Sequence, residues 1–213
     1  MQEDTILITR AGGVMTLTLN RPSAYNSFTR PMATALQQGL DTASTDDSIR
    51  CVVITGTGKA FCAGQDLKEV TADDAPPLED IVGGSYNVTI RKMRALAKPV
   101  ITAVNGVAAG AGANIALAGD LCVAAEDAKF IQAFSKIGLI PDSGGTWMLP
   151  KLIGLQRATA LAYLGTPVAA PEAAAMGMIH RSIPNGEFVA EVTALAEKLA
   201  SMPTRGLALT KHA

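Results

Sequence analysis

Residues 98–120, KPVITAVNGVAAGAGANIALAGD, combine a strand signal with a long run of small residues, and they guide the interpretation of the rest of the chain. A Lys-Pro pair opens the stretch, and the β-branched apolar run at 100–104 predicts a buried strand. Asn105 and Gly106 then predict a turn. A helix starting among the following Gly and Ala residues would present unpaired N–H groups to a closely approaching ligand, which suits a developing negative charge.

Three other interpretations of this stretch are possible. Its length is about that of a transmembrane helix, but Asn105, Asn114, Asp120 and the many glycines disfavour one. The glycines follow GxxxGxG rather than the GxGxxG of dinucleotide-binding proteins. A buried strand and helix without a ligand is, for the stretch alone, as good an interpretation as a binding site.

Composition limits the possible partners. The 213 residues predict one large domain, and a hydrophobic content of 48% is enough for a sizeable core. The net charge of −1 disfavours a nucleic-acid or anionic-membrane partner, because both select for a basic excess. Aromatic residues make up only 4% of the chain, which also disfavours base stacking.

The cysteines and histidines indicate an intracellular protein without a metal. The three cysteines, Cys51, Cys62 and Cys122, form no CxxC pair, and their odd number suits a reducing compartment. Cys51 and Cys122 lie in apolar strand-like runs, so we expect both to be buried free thiols. The first ten residues contain early acids and no long apolar run, so no signal peptide is predicted and the cytoplasm is expected. His180 and His212 are far apart in sequence and show no metal-ligand spacing.

Strand and helix signals alternate along most of the chain and predict an α/β fold with parallel strands joined by helical crossovers. Residues 5–9 and 14–19 flank two glycines and predict a hairpin. Residues 71–79 contain acids and two prolines without periodicity, and they predict a mobile surface segment. Further strands are predicted at 52–55, 121–124, 129–131 and 178–183, a loop at 56–65, and helices from Pro31 and at 81–96, 147–153, 157–164, 171–176, 187–201 and 204–213.

Six motifs occur in one order along nearly the whole chain. They are LTLNRPSAYNS (17–27), VVITGTGKAFCAGQDL (52–67), the central stretch extended to residue 130, FSKIGLIPDSGGTWMLPKLIG (134–154), the segment at 160–179, and PTRGLALTK (203–211). Together they resemble the enoyl-CoA hydratase/isomerase, or crotonase, superfamily.

The resemblance implies a crotonase-like spiral of repeated ββα units with a helical C-terminal region. It places the spiral core at residues 1–200 and the start of the helical region at 201–213, with further helices expected after the last residue. It also implies a homotrimer or a dimer of trimers.

The resemblance further implies an acyl-CoA substrate and no separate cofactor, whether metal, flavin or nicotinamide. The thioester oxygen of such a substrate is expected to accept hydrogen bonds from the backbone N–H groups of Gln65 and Ala111. The remaining implied contacts are with CoA and the acyl group. Ala63, Asp66 and Leu67 are expected at the adenine end, Arg21, Ala24 and Asn26 near the pantetheine and phosphates, and Phe134 at the acyl pocket. From the residues alone, Asp66 is also a candidate helix cap.

The acid/base positions favour an isomerase. Hydratases of this family use two glutamates, and the matching positions here are Asn114 and Phe134, which cannot transfer protons at neutral pH. Asp142 stands where the isomerases that act on dienoyl-CoA or epoxyphenylacetyl-CoA have an aspartate. We therefore expect Asp142 to be the acid/base, with a pKa raised by burial. The alternative is that Asp142 caps the helix through Trp147.

The resemblance therefore implies an acyl-CoA isomerase, and its likeness to the family's phenylacetate-degradation isomerases implies conversion of 1,2-epoxyphenylacetyl-CoA to oxepin-CoA. A Δ3,Δ2-enoyl-CoA or dienoyl-CoA isomerase is the enzymatic alternative, because one carboxylate serves that reaction as well. The alternative from another class is a non-catalytic acyl-CoA-binding subunit. A hydratase that had lost its activity could also carry Asn114 and Phe134 in place of the two glutamates.

Overall fold

The computed structural model describes residues 4–72 and 75–213. Its strands are β1 (Ile6–Ala11), β2 (Val14–Leu19), β3 (Cys51–Gly56), β4 (Ala60–Cys62), β5 (Val100–Val104), β6 (Val107–Ala109), β7 (Leu121–Ala125), β8 (Lys129–Ile131), β9 (Val168–Ala169) and β10 (Arg181–Ile183). Its α-helices are α1 (Arg30–Thr45), α2 (Leu67–Val70), α3 (Leu78–Ile81), α4 (Asn87–Ala95), α5 (Ala111–Leu117), α6 (Gly145–Ile153), α7 (Leu155–Leu164), α8 (Ala170–Ala175), α9 (Phe188–Ser201) and α10 (Thr204–His212). Two 3-10 turns, Pro22–Ala24 and Ala133–Ile137, and one π-helical turn, Val82–Tyr86, complete the described elements.

The strands form two sheets. The six-stranded sheet has the order β1-β2-β3-β5-β7-β10, and the four-stranded sheet has the order β4-β6-β8-β9. The successive pairs β3/β4, β5/β6 and β7/β8 each give one strand to each sheet, and β3, β5 and β7 are parallel, as are β4, β6 and β8. The chain therefore winds as a spiral of ββα turns, which confirms the predicted α/β architecture.

The alternation of side chains along the strands produces two hydrophobic cores. Val52 and Ile54 of β3 point into the larger core, which also contains α1 and the four-stranded sheet, whereas Cys51 and Val53 point into a smaller core beneath α9. A strand that is buried on both faces has no polar side, which explains the continuous apolar run in the sequence. All three cysteines are buried free thiols, which confirms the prediction for Cys51 and Cys122.

Helix α1 shows how local signals and burial agree. Thr29 is its N-cap, and the Thr29 hydroxyl accepts the Met32 N–H at 3.4 Å. Leu36 and Leu40 recur at helical spacing and are 0% and 1% exposed. Burying each leucine contributes about 1.5–3 kcal/mol of hydrophobic free energy. The helix is thereby fixed against the sheet, with its first residue, Arg30, near the loop that follows β4.

Some local predictions were wrong at their boundaries. The predicted loop at 56–65 contains β4, the predicted strand at 178–183 begins only at Arg181, and β9 was not predicted. These elements are two or three residues long, too short for a periodic signal. The mobile segment predicted at 71–79 includes Asp73 and Asp74, which lie outside the described residues, and α3 begins inside it at Leu78. Within ranges 4–72 and 75–213, no helix is long and apolar enough to cross a membrane.

Helix α10 contacts the core through polar side chains. The Arg50 guanidinium donates to the Thr204 hydroxyl at 3.1 Å and to the Met202 carbonyl at 2.6 Å. The Lys211 ammonium donates to the Met93 carbonyl at 2.7 Å and pairs with Asp120 at 2.8 Å. The division at residue 200 between a spiral core and a helical region stays a prediction.

Candidate active site

A cavity of about 940 Å³ lies at the carboxyl ends of β4, β6 and β8. Because these three strands are parallel neighbours, the residues that follow them meet at one edge of the four-stranded sheet. Gln65 follows β4, Ala111 follows β6, and both Phe134 and Asp142 follow β8, and all four residues line the cavity. The spiral thus brings together four predicted site residues that are up to 77 positions apart, from 65 to 142 in the sequence.

The N–H of Gln65 is left unused by its neighbours. Phe28 forms a parallel bridge with Gln65, in which the Phe28 N–H donates to Gly64 O at 2.7 Å and Phe28 O accepts the Asp66 N–H at 3.0 Å. In such a bridge the middle residue directs its own N–H away from the partner strand. Among the described residues no acceptor receives the Gln65 N–H. It is therefore available to a ligand in the cavity.

The second predicted donor, the Ala111 N–H, is at the first position of α5. Gly110 precedes it with φ +53°, a conformation that favours glycine, and the first N–H groups of a helix have no intrahelical partner. The segment packs directly against the β4 loop, since a Cβ built on Gly64 would lie 2.9 Å from Ala109 O and 3.7 Å from Ala111 N. The two predicted donors thus sit on backbone segments that touch each other.

Asp142 is partly buried in the wall of the same cavity. Burial raises the pKa of the Asp142 carboxyl above its ordinary value, and the Ser143 hydroxyl, which donates to Asp142 Oδ1 at 2.8 Å, lowers it by a smaller amount. The alternative prediction, that the Asp142 side chain caps helix α6, was wrong. Helix α6 has Gly144 as its N-cap without a side-chain cap among the described residues, and the Gly145 N–H donates to the Asp142 carbonyl at 2.8 Å.

Asn114, at a position where the resemblance implies a glutamate in hydratases, contacts Asp142. Its Nδ2 donates to the Asp142 carbonyl at 2.9 Å, and its Oδ1 accepts from Gln132 Nε2 at 2.8 Å. Asn114 is 0% exposed and Gln132 is 4% exposed. The packing is close, since a Cβ on Gly145 would lie 2.3 Å from Asn114 Nδ2. Asn114 therefore supports the backbone of Asp142, a role that the sequence did not reveal.

The predicted CoA contacts divide into two groups. Ala24, Ala63, Asp66 and Leu67 line the cavity as expected. Asn26 does not. Its fully buried side chain accepts the Arg21 N–H at 2.8 Å and donates to the carbonyls of Thr57 and Ala60 at 2.9 and 2.7 Å. The Asn26 side chain therefore holds the loop that bears Ala24 and is not exposed to a ligand.

Asp66 combines two structural contacts with its place on the cavity wall. It caps α2 by accepting the Lys68 N–H at 3.0 Å and pairs with Arg21 at 2.8 Å. Burial raises the pKa of the Asp66 carboxyl, but the bonds from Arg21, the Lys68 N–H and Ser27 outweigh that effect and hold the pKa below its ordinary value. Two exposed cations, Lys68 and Lys136, also line the cavity.

Tyr86 is a cavity residue that the sequence analysis missed. It lies in the π-helical turn, is 1% exposed, and its ring stacks on Phe28 with centroids 5.2 Å apart. Its hydroxyl donates to Gln65 Oε1 at 2.8 Å. Burial raises the pKa of Tyr86 well above its ordinary range, with smaller contributions from acidic neighbours that include Asp142. A tyrosine within a helical pattern gave no signal of this contact.

Comparison with known proteins identifies the class. The family model described as enoyl-CoA hydratase/isomerase matches residues 9–213. The chain belongs to this family of CoA-thioester hydratases and isomerases, whose members bind acyl-CoA, and the resemblance drawn from the six motifs is confirmed.

Individual relatives include both isomerases and hydratases. The chain is 50% identical over 204 residues to the 1,2-epoxyphenylacetyl-CoA isomerase of Escherichia coli strain K12, covering 94% of this chain and 78% of that protein. It is 40% identical to the trans-2-decenoyl-[acyl-carrier-protein] isomerase of Streptococcus mutans, covering 83% and 68% of the two chains. The solved structure of an enoyl-CoA hydratase from Bacillus anthracis superposes with a TM-score of 0.92 at 34% identity, covering 98% of this chain and 81% of that one.

Proposed function

We propose that this protein is a CoA-thioester isomerase in which Asp142 transfers the proton and the N–H groups of Gln65 and Ala111 bind the thioester oxygen. One observation supports it above the others. Two carboxylates line the cavity, and Asp66 is paired with Arg21. Asp142, which has no ion-pair partner among the described residues, lines the cavity together with two backbone segments whose N–H groups have no described partner. The positions of the two hydratase glutamates hold an amide and a phenyl ring instead.

The two N–H groups supply the electrostatic part of the chemistry. Removing a proton from the carbon next to the thioester carbonyl moves negative charge onto the carbonyl oxygen. Donors fixed in a site that excludes water stabilise that charge, and a single donor of this kind contributes about 2.7–4 kcal/mol to the transition state. Because both donors here are backbone groups, their positions depend on the fold rather than on side-chain rotamers.

Asp142 supplies the proton transfer. In its ionised form it takes a proton from one carbon of the acyl group, and the resulting carboxylic acid returns a proton to another carbon. The raised pKa of Asp142 makes the carboxylate a stronger base than an exposed aspartate. A hydratase needs a second group to activate water, and Asn114 and Phe134 cannot do so. One acid/base is sufficient for an isomerisation.

The proposed substrate is 1,2-epoxyphenylacetyl-CoA, rearranged to oxepin-CoA in phenylacetate catabolism. The 50% identity to the Escherichia coli protein of that name supports it. A double-bond isomerase that acts on Δ3-enoyl or dienoyl thioesters is the second candidate, supported by the relative named as a decenoyl isomerase. No separate cofactor is needed for either reaction, because CoA is part of the substrate.

We place the CoA phosphates near Lys68 and Lys136. Both are exposed cations on the cavity wall, whereas the charge of Arg21 is paired with Asp66. The adenine end then lies by Ala63, Asp66 and Leu67, as the resemblance implies. The acyl group extends the other way, towards Phe134 and Asp142.

We also propose that the chain forms homotrimers or dimers of trimers. Helices α6 and α7 expose large apolar side chains, with Trp147 64%, Leu155 68%, Tyr163 76% and Leu164 69% exposed. Such a surface is typical of a protein interface. Native mass spectrometry of the protein tests this proposal, and a monomer at micromolar concentration would contradict it.

The deciding experiment compares the wild-type protein with Asp142→Asn on epoxyphenylacetyl-CoA and on a Δ3-enoyl-CoA. The matched control is Asp127→Asn, which changes an exposed acid after β7. We expect Asp142→Asn to lose turnover and keep CoA-ester binding, with the control unchanged. Turnover that survives in Asp142→Asn would contradict the assigned role. A wild-type protein that binds both esters and converts neither would be a non-catalytic acyl-CoA-binding subunit.

A further inference from the structure

The side chain of Gln65 is held at both ends of its amide. Gln65 Oε1 accepts the Tyr86 hydroxyl at 2.8 Å, and Gln65 Nε2 donates to Glu69 Oε2 at 2.9 Å. Phe28 holds the backbone on either side of the same residue. A residue proposed to act only through its backbone N–H is therefore fixed by side-chain contacts as well.

Glu69 connects this contact to helix α1. Its carboxylate accepts the Arg30 N–H at 3.0 Å and the Arg30 Nε–H at 3.3 Å. Only 14% of the Glu69 side chain is exposed. The chain of hydrogen bonds thus runs from the π-helical turn through Gln65 to the first residue of α1.

The direction of each bond in this chain is determined by chemistry. Glu69 is ion-paired with Arg30, and a carboxylate can only accept, so the NH2 group of Gln65 must face it. The Gln65 oxygen must then face Tyr86, whose hydroxyl must donate. Reversing the amide would place its oxygen against a carboxylate. The network therefore has one low-energy arrangement, and Gln65 has one orientation.

We propose that Tyr86 and Glu69 are positioning residues that hold Gln65 from its two amide ends and thereby aim the Gln65 N–H at the thioester oxygen. The inference rests on the proposed oxyanion role of Gln65. Electrostatic stabilisation depends on donors that are already oriented when charge develops. Tyr86 contributes its hydroxyl to this arrangement, while its ring is fixed by Phe28.

The variants test the hydrogen bonds of the Tyr86 hydroxyl and the Glu69 carboxylate separately from the packing of the Tyr86 ring. Tyr86→Phe keeps the stacked ring and removes the donor, Glu69→Ala removes the acceptor, and Glu69→Gln retains an oxygen that can accept from Gln65. We expect kcat to fall about fivefold to twentyfold in Tyr86→Phe and Glu69→Ala with KM within about twofold. Glu69→Gln should recover most of the loss. Glu172→Ala, which removes an exposed carboxylate of α8, is the matched control.

A second readout does not require turnover. Cinnamoyl-CoA labelled with 13C at the thioester carbonyl is bound to Asp142→Asn protein, and the downfield 13C shift on binding measures how strongly the donors polarise the carbonyl. We expect Tyr86→Phe and Glu69→Ala, each made in the Asp142→Asn background, to reduce that shift. In the kinetic assay, the double variant Tyr86→Phe/Glu69→Ala should lose less than the product of the two single losses, because both groups act through Gln65.

The outcomes distinguish this inference from the proposed function. A bound carbonyl that shows no shift with Gln65 and its partners intact would overturn the oxyanion role itself. A normal shift that survives unchanged in Tyr86→Phe and Glu69→Ala, together with unchanged kcat, would overturn the positioning role alone. If Tyr86→Phe does not fold, as judged by circular dichroism, the pair Glu69→Ala and Glu69→Gln tests the same network from its other end.

Discussion

Replacing Asn114 with alanine tests the support of Asp142 most directly. The substitution removes one donor to the Asp142 carbonyl and the acceptor of Gln132 Nε2. The Asp142 carbonyl keeps its bond from Gly145, but Gln132 Oε1 already has no partner among the described residues. Both ends of a buried amide are then unpaired.

The expected loss in the free energy of unfolding follows from the hydrogen bonds that the substitution removes. A buried polar group left without a partner costs about 1–3 kcal/mol. Gln132 Nε2 loses its acceptor, whereas the Asp142 carbonyl loses one of its two donors. We therefore expect Asn114→Ala to lower the free energy of unfolding by about 2–4 kcal/mol. If Asp142 has the proposed catalytic role, loosening its backbone should also reduce kcat by about tenfold to a hundredfold, because small misplacements of a catalytic group are costly.

The assay combines urea unfolding, at one protein concentration, with steady-state kinetics. Asn185→Ala, at an exposed position, is the matched control and should change neither quantity. The double variant Asn114→Ala/Gln132→Leu should be less destabilised than the two single losses combined, since leucine removes the orphaned amide. A loss below about 1 kcal/mol with kcat within about twofold would refute the argument, because an unpaired buried amide costs at least that much.

Three further predictions concern charge and burial. Because the pKa of Asp142 is raised in the folded protein, the folded state binds more protons than the unfolded state, and stability falls as pH rises from the ordinary carboxyl range through that pKa. Asp142→Asn should therefore raise Tm at pH 7 and leave it unchanged at pH 3. Equal Tm values for the two proteins at pH 7 would contradict the burial of Asp142. Lys68→Ala/Lys136→Ala should weaken CoA binding about twofold to tenfold in calorimetry at low salt and less at high salt, while a salt-independent loss would contradict a charge contact. Burial raises the pKa of each of the three cysteines to about 12, so a disulfide reagent at pH 8 should react slowly until urea unfolds the protein, and rapid native reaction would contradict the packing.

The elements with strong local signals could be predicted from the sequence. Helix α1 has a threonine cap, an early proline and leucines at helical spacing, so its start was predicted within one residue. Strands β3 and β5 are continuous apolar runs that are buried on both faces. Strand β4 has only three residues between turns, and its pairing with β6 comes from the spiral rather than from its own composition.

In the candidate site, too, some features could be predicted from the sequence and others could not. Asp142 could be found from the sequence because a lone acid stands in an apolar, glycine-rich loop that matches a family motif. The contact of Asn114 with Asp142 joins residues 28 positions apart, and that of Tyr86 with Gln65 joins residues 21 positions apart. Neither pair shares an element, so no periodicity connects them. Asn26 was expected to face a ligand because of its motif, but burial among three backbone groups decides its role.

The arrangement of β4, β6 and β8 has a consequence for how such a protein can diversify. The groups proposed to polarise the thioester follow the ends of parallel strands, whereas Leu78 and Val82 reach the cavity from the crossover between β4 and β5. A crossover can lengthen, shorten or change its side chains without changing the register of the strands it joins. Selection for a new acyl group can therefore act on the crossover while the machinery common to all thioesters stays in place.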